Sequence, residues 1–153
     1  MDLVINEWFP EYCKVETVKE DKELLQAFLE RFLNRKDILY IKRPSAFLNK
    51  VYSYSKEYQG HRDPYTNGIL SFFFKEIYVN SDRCVIVDED CILEESVKQK
   101  LAEGNYASDT YLFEAASKTE SKIIVTTDDK LCKQMKDVAA YNVVSLKDFL
   151  KDY

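Results

Sequence analysis

Acidic and amide side chains follow several short apolar runs of the sequence, at the points where these runs end. The runs end in Asn6 and Glu7, in Asp88, and in Asp128. Carboxylates gathered at one end of a parallel sheet repel each other unless a cation lies among them, and oxygen ligands suit Mg²⁺ or Mn²⁺. Such a cation activates water and stabilises the negative charge that develops during phosphodiester hydrolysis. The residues therefore predict a Mg²⁺- or Mn²⁺-dependent hydrolase.

Asp109 is a further candidate ligand. It follows Ser108, a good N-cap residue, at the predicted start of a helix, where the helix dipole favours a carboxylate. Helix capping therefore explains Asp109 as well as metal binding does, and Asp128 has the same two explanations. A right-handed connection from the Asp109 helix to the strand before Asp128 brings both carboxylates to one edge of the sheet. Both roles stay open for each residue.

Short apolar strands and amphipathic helices alternate along the chain and would position these side chains. Strands are predicted at residues 3–5, 38–41, 84–87, 123–125 and 143–144. Helices are predicted around residues 24–33, 44–54 (with Pro44 in the first turn), 69–79 and 94–101, and from Ser108. Continuous apolar strands of this kind predict an α/β fold, with a parallel sheet between two helical layers (α/β/α). Ligands bind such sheets beyond the carboxyl ends of the strands.

The composition is typical of one globular domain spanning residues 1–153. A formal net charge of −5 argues against non-specific coating of nucleic acid, but not against an enzyme that acts on it through a metal. The sequence shows neither an apolar run of membrane-spanning length nor the start of a signal peptide. We therefore expect a cytoplasmic protein with no membrane partner. Its four cysteines lack a Cys-x-x-Cys pair and are expected to be free thiols.

Three segments in the last third of the chain carry a family resemblance. Residues 108–116 read Ser-Asp-Thr-Tyr-Leu-Phe-Glu-Ala-Ala, and residues 123–131 read Ile-Ile-Val-Thr-Thr-Asp-Asp-Lys-Leu. Together with residues 141–150, these segments resemble the C-terminal half of a PIN domain, a family of metal-dependent nucleases that includes the VapC-type toxins. The resemblance implies that Asp109 and Asp128 are catalytic metal ligands and that Thr126 orders the site. Asp129 either contributes to that order or is a solvated neighbour.

The N-terminal half departs from the family at two acidic positions. The family's Asp at the end of the first strand is replaced by Asn6, and its Glu on the helix after the second strand falls at Lys50 or the residue before it. Asn6 still offers a carbonyl oxygen, and Glu7 beside it can supply a carboxylate. We therefore predict that Glu7 joins Asp109 and Asp128 as a catalytic metal ligand and that Asn6 completes the metal shell.

The uneven distribution of charge predicts where a substrate lies. Residues 34–62 carry seven lysines and arginines against two acids, whereas residues 88–129 carry eleven acids against four lysines. Arg43 and Lys50, in the basic segment, are predicted to contact phosphate groups of single-stranded or structured RNA. Tyrosines of the same segment either stack on unpaired bases or pack into the protein. These tyrosines are Tyr40, Tyr52, Tyr54 and Tyr58.

Three functions are compatible with these patterns. The first is a metal-dependent endoribonuclease of PIN-like type. The second is a PIN-like module that binds RNA or protein without catalysis, because two of the family's acids are replaced. The third is a phosphatase, since Asp88 and Asp90 resemble the nucleophile and general acid of haloacid-dehalogenase-type enzymes. The PIN resemblance also implies a homodimer and an inhibitory partner protein, as in a toxin–antitoxin pair.

Overall fold

Five strands form one parallel sheet in the computed structural model, which describes residues 1–60 and 63–153. These strands are β1 (Asp2–Ile5), β2 (Ile38–Lys42), β3 (Cys84–Val87), β4 (Ile123–Thr126) and β5 (Asn142–Ser145). Their order across the sheet is β3-β2-β1-β4-β5. The chain therefore builds one half of the sheet from β1 to β3 and then crosses to the other side of β1. The crevice between the carboxyl ends of β1 and β4 is the topological switch point of the sheet.

Helices cover both faces of this sheet. Within the described residues there are eight α-helices: α1 (Trp8–Tyr12), α2 (Lys19–Arg35), α3 (Ala46–Glu57), α4 (Pro64–Phe72), α5 (Glu95–Glu103), α6 (Thr110–Ser117), α7 (Asp129–Gln134) and α8 (Leu146–Asp152). A π-helix, Phe73–Tyr78, continues α4, and a 3₁₀ turn, Ala107–Asp109, precedes α6. Helices α1 to α4 and α8 pack on one face of the sheet, and α5 to α7 pack on the other.

Successive residues of the central strand β1 alternate between the two hydrophobic clusters. Leu3 and Ile5 pack with the helices of the first face, whereas Val4 packs with Ile124 and the helices of the second face. This alternation is the period of two that a strand imposes on its side chains. Because both faces are covered, both sets of residues are apolar, and β1 reads as a continuous apolar run. The predicted three-layer α/β/α fold is confirmed.

Two helices begin later than the sequence predicts. The hydroxyl of Ser45 accepts a hydrogen bond from the Leu48 amide at 3.2 Å and caps α3, so Pro44 lies before the helix rather than in its first turn. Ser108, the predicted N-cap of the later helix, instead lies inside the 3₁₀ turn. The amide of Asp109 donates to the carbonyl of Tyr106 at 2.9 Å, closing that tighter turn. Asp109 therefore becomes the residue at the N-terminal end of α6.

None of the helices in residues 1–60 and 63–153 has the length and apolar character needed to cross a bilayer. The four cysteines are free, and two of them, Cys13 and Cys84, are buried.

Arg62, one of the basic residues counted in the sequence, lies outside the described residues.

Candidate active site

A hydrogen-bonded pair of polar residues joins the carboxyl ends of β1 and β4 at the switch point. The Asn6 side-chain amide donates to the Thr126 hydroxyl oxygen at 2.7 Å, and that oxygen also accepts from the Asp128 amide at 3.0 Å. The side-chain oxygen of Asn6 accepts from the Trp8 amide at 3.3 Å. Both Asn6 and Thr126 are buried. Their hydrogen bonds therefore fix the backbone directions from which Glu7 and Asp128 leave the sheet.

Glu7 connects this strand end to helix α6. It lies between β1 and α1, and its carboxylate accepts a hydrogen bond from the Tyr111 hydroxyl at 2.5 Å. Burial, followed by this hydrogen bond and the charge of Glu7, raises the pKa of Tyr111 well above its ordinary value. Tyr111 thus stays protonated and holds the Glu7 carboxylate close to Asp109 at the start of α6.

Asp109 experiences the negative charge of both other acids. Burial is the largest cause that raises its pKa from 3.8 to about 6, followed by the charges of Glu7 and Asp128. No described residue donates a hydrogen bond to its carboxylate. A half-buried carboxylate that faces two like charges destabilises the folded protein unless a bound cation compensates the charge. Acids whose pKa is strongly perturbed in this way are frequent at functional sites.

Asp128 reaches the same place from β4. One oxygen of its carboxylate accepts from the amides of Lys130 and Leu131, at 3.0 and 3.1 Å, and so caps α7. The other carboxylate oxygen accepts no hydrogen bond from a described residue. The two roles expected for Asp128 are therefore compatible, because one oxygen caps the helix and the other remains available.

The oxygen atoms of this acidic site, defined as Glu7, Asp109 and Asp128, have the right chemistry for a hard divalent cation. The described residues contain no group of three Asp, Glu, His or Cys side chains placed to enclose a metal ion. Mg²⁺, however, commonly uses one or two carboxylates and keeps several water ligands. Asp109 and Asp128 are the two candidates for that smaller requirement, since the charge of Asp128 acts on Asp109, as does that of Glu7. The side-chain oxygen of Asn6 accepts a hydrogen bond from the Trp8 amide, so Asn6 helps to fix the end of β1. Its amide group is neutral and does not compensate the charge of a cation.

Glu11 is a charged residue beside the site that sequence reasoning missed. It lies one helical turn after Glu7, and its carboxylate accepts from Lys50 at 2.8 Å and from the Tyr54 hydroxyl at 2.7 Å, with Lys14 also 2.7 Å away. Burial opposes its ionisation, but these three hydrogen bonds outweigh it and lower the pKa of Glu11 to about 2. The spacing of four residues from Glu7, at the start of a helix, was the signal that could have revealed it.

The two predicted phosphate contacts lie in different places. Lys50, on α3, binds Glu11 and is close enough to Glu7 to interact with its charge. Arg43 follows β2 and forms two hydrogen bonds of 2.6 Å to the carboxylate of Asp88, which follows the edge strand β3. Only Lys50 therefore adjoins the acidic site. Asp90, the other acid of the phosphatase hypothesis, is exposed.

Asp129 is the first residue of α7 and directly follows Asp128. It is exposed and lines an open cavity of about 260 Å³ with Lys147 of α8 and Tyr12. The predicted ordering of the site is supplied by Thr126, which holds both Asn6 and the backbone of Asp128. Nothing in the contacts of Asp129 connects it to that network.

The chain matches no protein-family model, no curated protein and no solved structure. The resemblance to PIN domains therefore depends on the sequence segments that carry it.

Proposed function

We propose that this protein is a Mg²⁺- or Mn²⁺-dependent ribonuclease of PIN-like type. The observation that carries the proposal is that the charges of Glu7 and Asp128 both act on Asp109 at the switch point of a parallel sheet, where ligands of such sheets bind. The three side chains arrive from β1, α6 and β4, and the pKa of Asp109 is raised to about 6. Repulsion between neighbouring carboxylates is common at functional sites of natural proteins.

Asp109 and Asp128 would hold the cation, with Glu7 beside them. When bound, a divalent metal lowers the pKa of water and stabilises negative charge on a phosphodiester. The chain's own residues supply the surroundings: Thr126 and Asn6 fix the strand ends, and Tyr111 orients Glu7 through its hydroxyl.

Lys50 supplies positive charge for a phosphate group next to the acidic site. Its ammonium group is 2.8 Å from Glu11 and remains partly exposed, so a phosphate oxygen can share it. Arg43 is already bound by Asp88 through two hydrogen bonds. For Arg43 to contact RNA, the phosphate must compete with that carboxylate. This pairing also occupies the proposed nucleophile of the phosphatase hypothesis, which the geometry therefore supports less well.

A PIN-like module that binds without cleaving is the second candidate function. It is favoured by Lys50, because an ammonium group lies close to Glu7 on the helix where the family resemblance places a glutamate. It is also favoured by Asn6, whose side-chain amide and oxygen are both used in hydrogen bonds within the protein. In this case the same surfaces bind RNA or a protein partner, and the acids serve only the fold.

The resemblance alone supports a homodimer and an inhibitory partner protein of the toxin–antitoxin kind. The four free cysteines support a reducing compartment such as the cytoplasm. These assignments form part of the proposal and are independent of the geometry of the acidic site.

Manganese binding and RNA cleavage, measured together, test the proposal. Mn²⁺ is titrated calorimetrically into wild type, Asp109→Asn and Asp128→Asn, and each protein is then incubated with a mixed tRNA pool. We expect wild type to bind Mn²⁺ and cleave RNA, and both variants to lose both properties. Asp137→Asn, which removes an exposed acid remote from the site, is the matched control and should behave as wild type. Cleavage that persists in Asp109→Asn would overturn the assignment, and wild type without binding or cleavage would favour the non-catalytic module.

A further inference from the structure

An exposed aromatic patch lies beside α3, away from the acidic site. It consists of Tyr52 of α3 with Phe74 and Tyr78 of the π-helix. The Tyr52 ring centre is 5.3 Å from that of Phe74 and 6.3 Å from that of Tyr78, and the two tyrosine hydroxyls are 3.2 Å apart. Half of the Tyr52 surface, 50%, is exposed. The neighbouring rings therefore fix the orientation of Tyr52 while leaving it accessible.

Positive charge borders this aromatic patch. The guanidinium of Arg43, which is paired with Asp88, interacts with the hydroxyl of Tyr78, and its charge also acts on Tyr52. Lys56, one turn after Tyr52 on α3, lines an open cavity of about 570 Å³ together with Tyr52 and Phe74. Among the described residues, none forms an ion pair with Lys56. Aromatic rings flanked by cations are the combination that proteins use to bind single-stranded nucleic acid.

The other tyrosines of the basic segment serve the protein itself. Tyr54 donates its hydroxyl proton to Glu11, and Tyr58 is buried and donates to Glu16. Tyr40 lies on β2, between β3 and β1 in the sheet, and is half-buried. Tyr52 is the most exposed of the four and the only one that lies in a cluster with other partly exposed rings of the described chain.

We propose that the aromatic patch is a stacking platform for unpaired bases of an RNA substrate, an inference that rests on the proposed ribonuclease function. Two residues along α3 correspond to about 200° of rotation. Lys50 and Tyr54 therefore point to the acidic site, and Tyr52 between them points away. A single strand crossing α3 places a phosphate group at Lys50 and successive bases on Tyr52 and its neighbours. The substrate class is accordingly RNA with an unpaired segment.

Binding in the absence of metal tests the platform separately from catalysis. The affinity for a fluorescent oligouridine is measured in EDTA by anisotropy. We expect Tyr52→Ala to weaken binding about 10-fold, which corresponds to about 1.4 kcal/mol and lies within the range for base–aromatic stacking. Tyr52→Phe keeps the ring and should retain wild-type affinity. Tyr52→Leu keeps apolar bulk without a π-face and should bind as weakly as the alanine variant.

Photocrosslinking of an oligonucleotide that contains 5-iodouridine locates the contact directly. We expect the crosslinked peptide to contain Tyr52. Equal affinity of all Tyr52 variants, or wild-type affinity of Tyr52→Leu, overturns the platform, as does a wild type that binds no oligouridine. An altered oligomeric state of Tyr52→Ala with unchanged RNA affinity identifies a protein contact instead and also overturns it.

The outcomes separate this inference from the proposed function. Binding through Tyr52 without cleavage in Mn²⁺ would keep the platform and remove the ribonuclease. Cleavage of tRNA with an unchanged KM in Tyr52→Ala would keep the ribonuclease and remove the platform.

Discussion

Replacing Asp109 by asparagine is expected to stabilise the metal-free protein while abolishing its proposed activity. The carboxylate is half-buried and faces the negative charges of Glu7 and Asp128, and no described residue donates a hydrogen bond to it. Asparagine has nearly the same shape and no charge. The substitution therefore removes repulsion without creating a cavity, and it trades function for stability.

The magnitude follows from the rise of the Asp109 pKa from 3.8 to about 6. A change of this size corresponds to about 3 kcal/mol for a fully buried carboxylate. Because Asp109 is only half-buried, screening by solvent reduces the expected gain to about 1 kcal/mol, or about 3 °C in melting temperature for a chain of this length. The folded-state pKa lies above the unfolded value, so ionisation of Asp109 destabilises the fold above pH 6. This destabilisation is lost as the pH falls from 6 towards 4.

Thermal unfolding followed by circular dichroism in EDTA measures this effect. At pH 7.5 Asp109→Asn should melt higher than wild type, and the difference should vanish near pH 4. Added Mn²⁺ should raise the melting temperature of wild type but not that of Asp109→Asn. Asp137→Asn is the matched control and should melt as wild type does. A lower melting temperature of Asp109→Asn at pH 7.5 would refute the reasoning, because it would show that the carboxylate supports the start of α6.

Two further predictions concern charged residues outside the acidic site. Glu11→Gln leaves Lys14 and Lys50 without their shared carboxylate and should lower the melting temperature by about 2 °C at pH 7. Because the pKa of Glu11 is lowered to about 2 in the folded protein, the difference in melting temperature between wild type and Glu11→Gln should shrink below pH 4. An undiminished difference at pH 2 would contradict this electrostatic origin. Asp37→Asn should lower the free energy of unfolding in urea by about 3 kcal/mol, since Asp37 is 2% exposed and binds the Met1 ammonium and the Tyr153 hydroxyl. A loss below about 0.5 kcal/mol would contradict this prediction, because it would show that the ion pair contributes no more than a solvent-exposed one.

The strands were predictable because burial on both faces leaves a continuous apolar run. Each of the five predicted strands matches an observed one to within one or two residues. The helix starts were less predictable, since they depend on which hydroxyl or carboxylate the folded backbone brings within reach. Ser45 and Ser108 are both good N-cap residues in isolation. Only Ser45 caps a helix, because the tight turn at Tyr106 and Asp109 includes Ser108.

The approach of Asp109 to Asp128 was predictable from strand ends and the chain connection, whereas Glu7 was predicted as a replacement for the acid that the PIN resemblance places at Asn6. The ion-pair partners of the charged side chains were not predictable from the sequence, because they depend on which carboxylates the tertiary fold brings within reach of each long side chain. Arg43 binds Asp88 across two neighbouring strand ends, and Lys50 binds Glu11 across two helices. Sequence spacing gave no measure of either distance. The PIN resemblance and the nuclease activity stay predictions.

If the proposed metal site holds a cation, the balance of charge around it favours one divalent cation over a pair of them. Lys50 and Lys14 are bound to Glu11, so the ammonium groups are concentrated around α1 and α3. The start of α6 and the end of β4 keep their negative charge. Four carboxylates and two ammonium groups leave two negative charges uncompensated, which is the charge of one Mg²⁺. A second divalent cation would leave these six groups with two excess positive charges, because Lys50 stands on the helix where the family resemblance places a glutamate. The four carboxylates are those of Glu7, Glu11, Asp109 and Asp128.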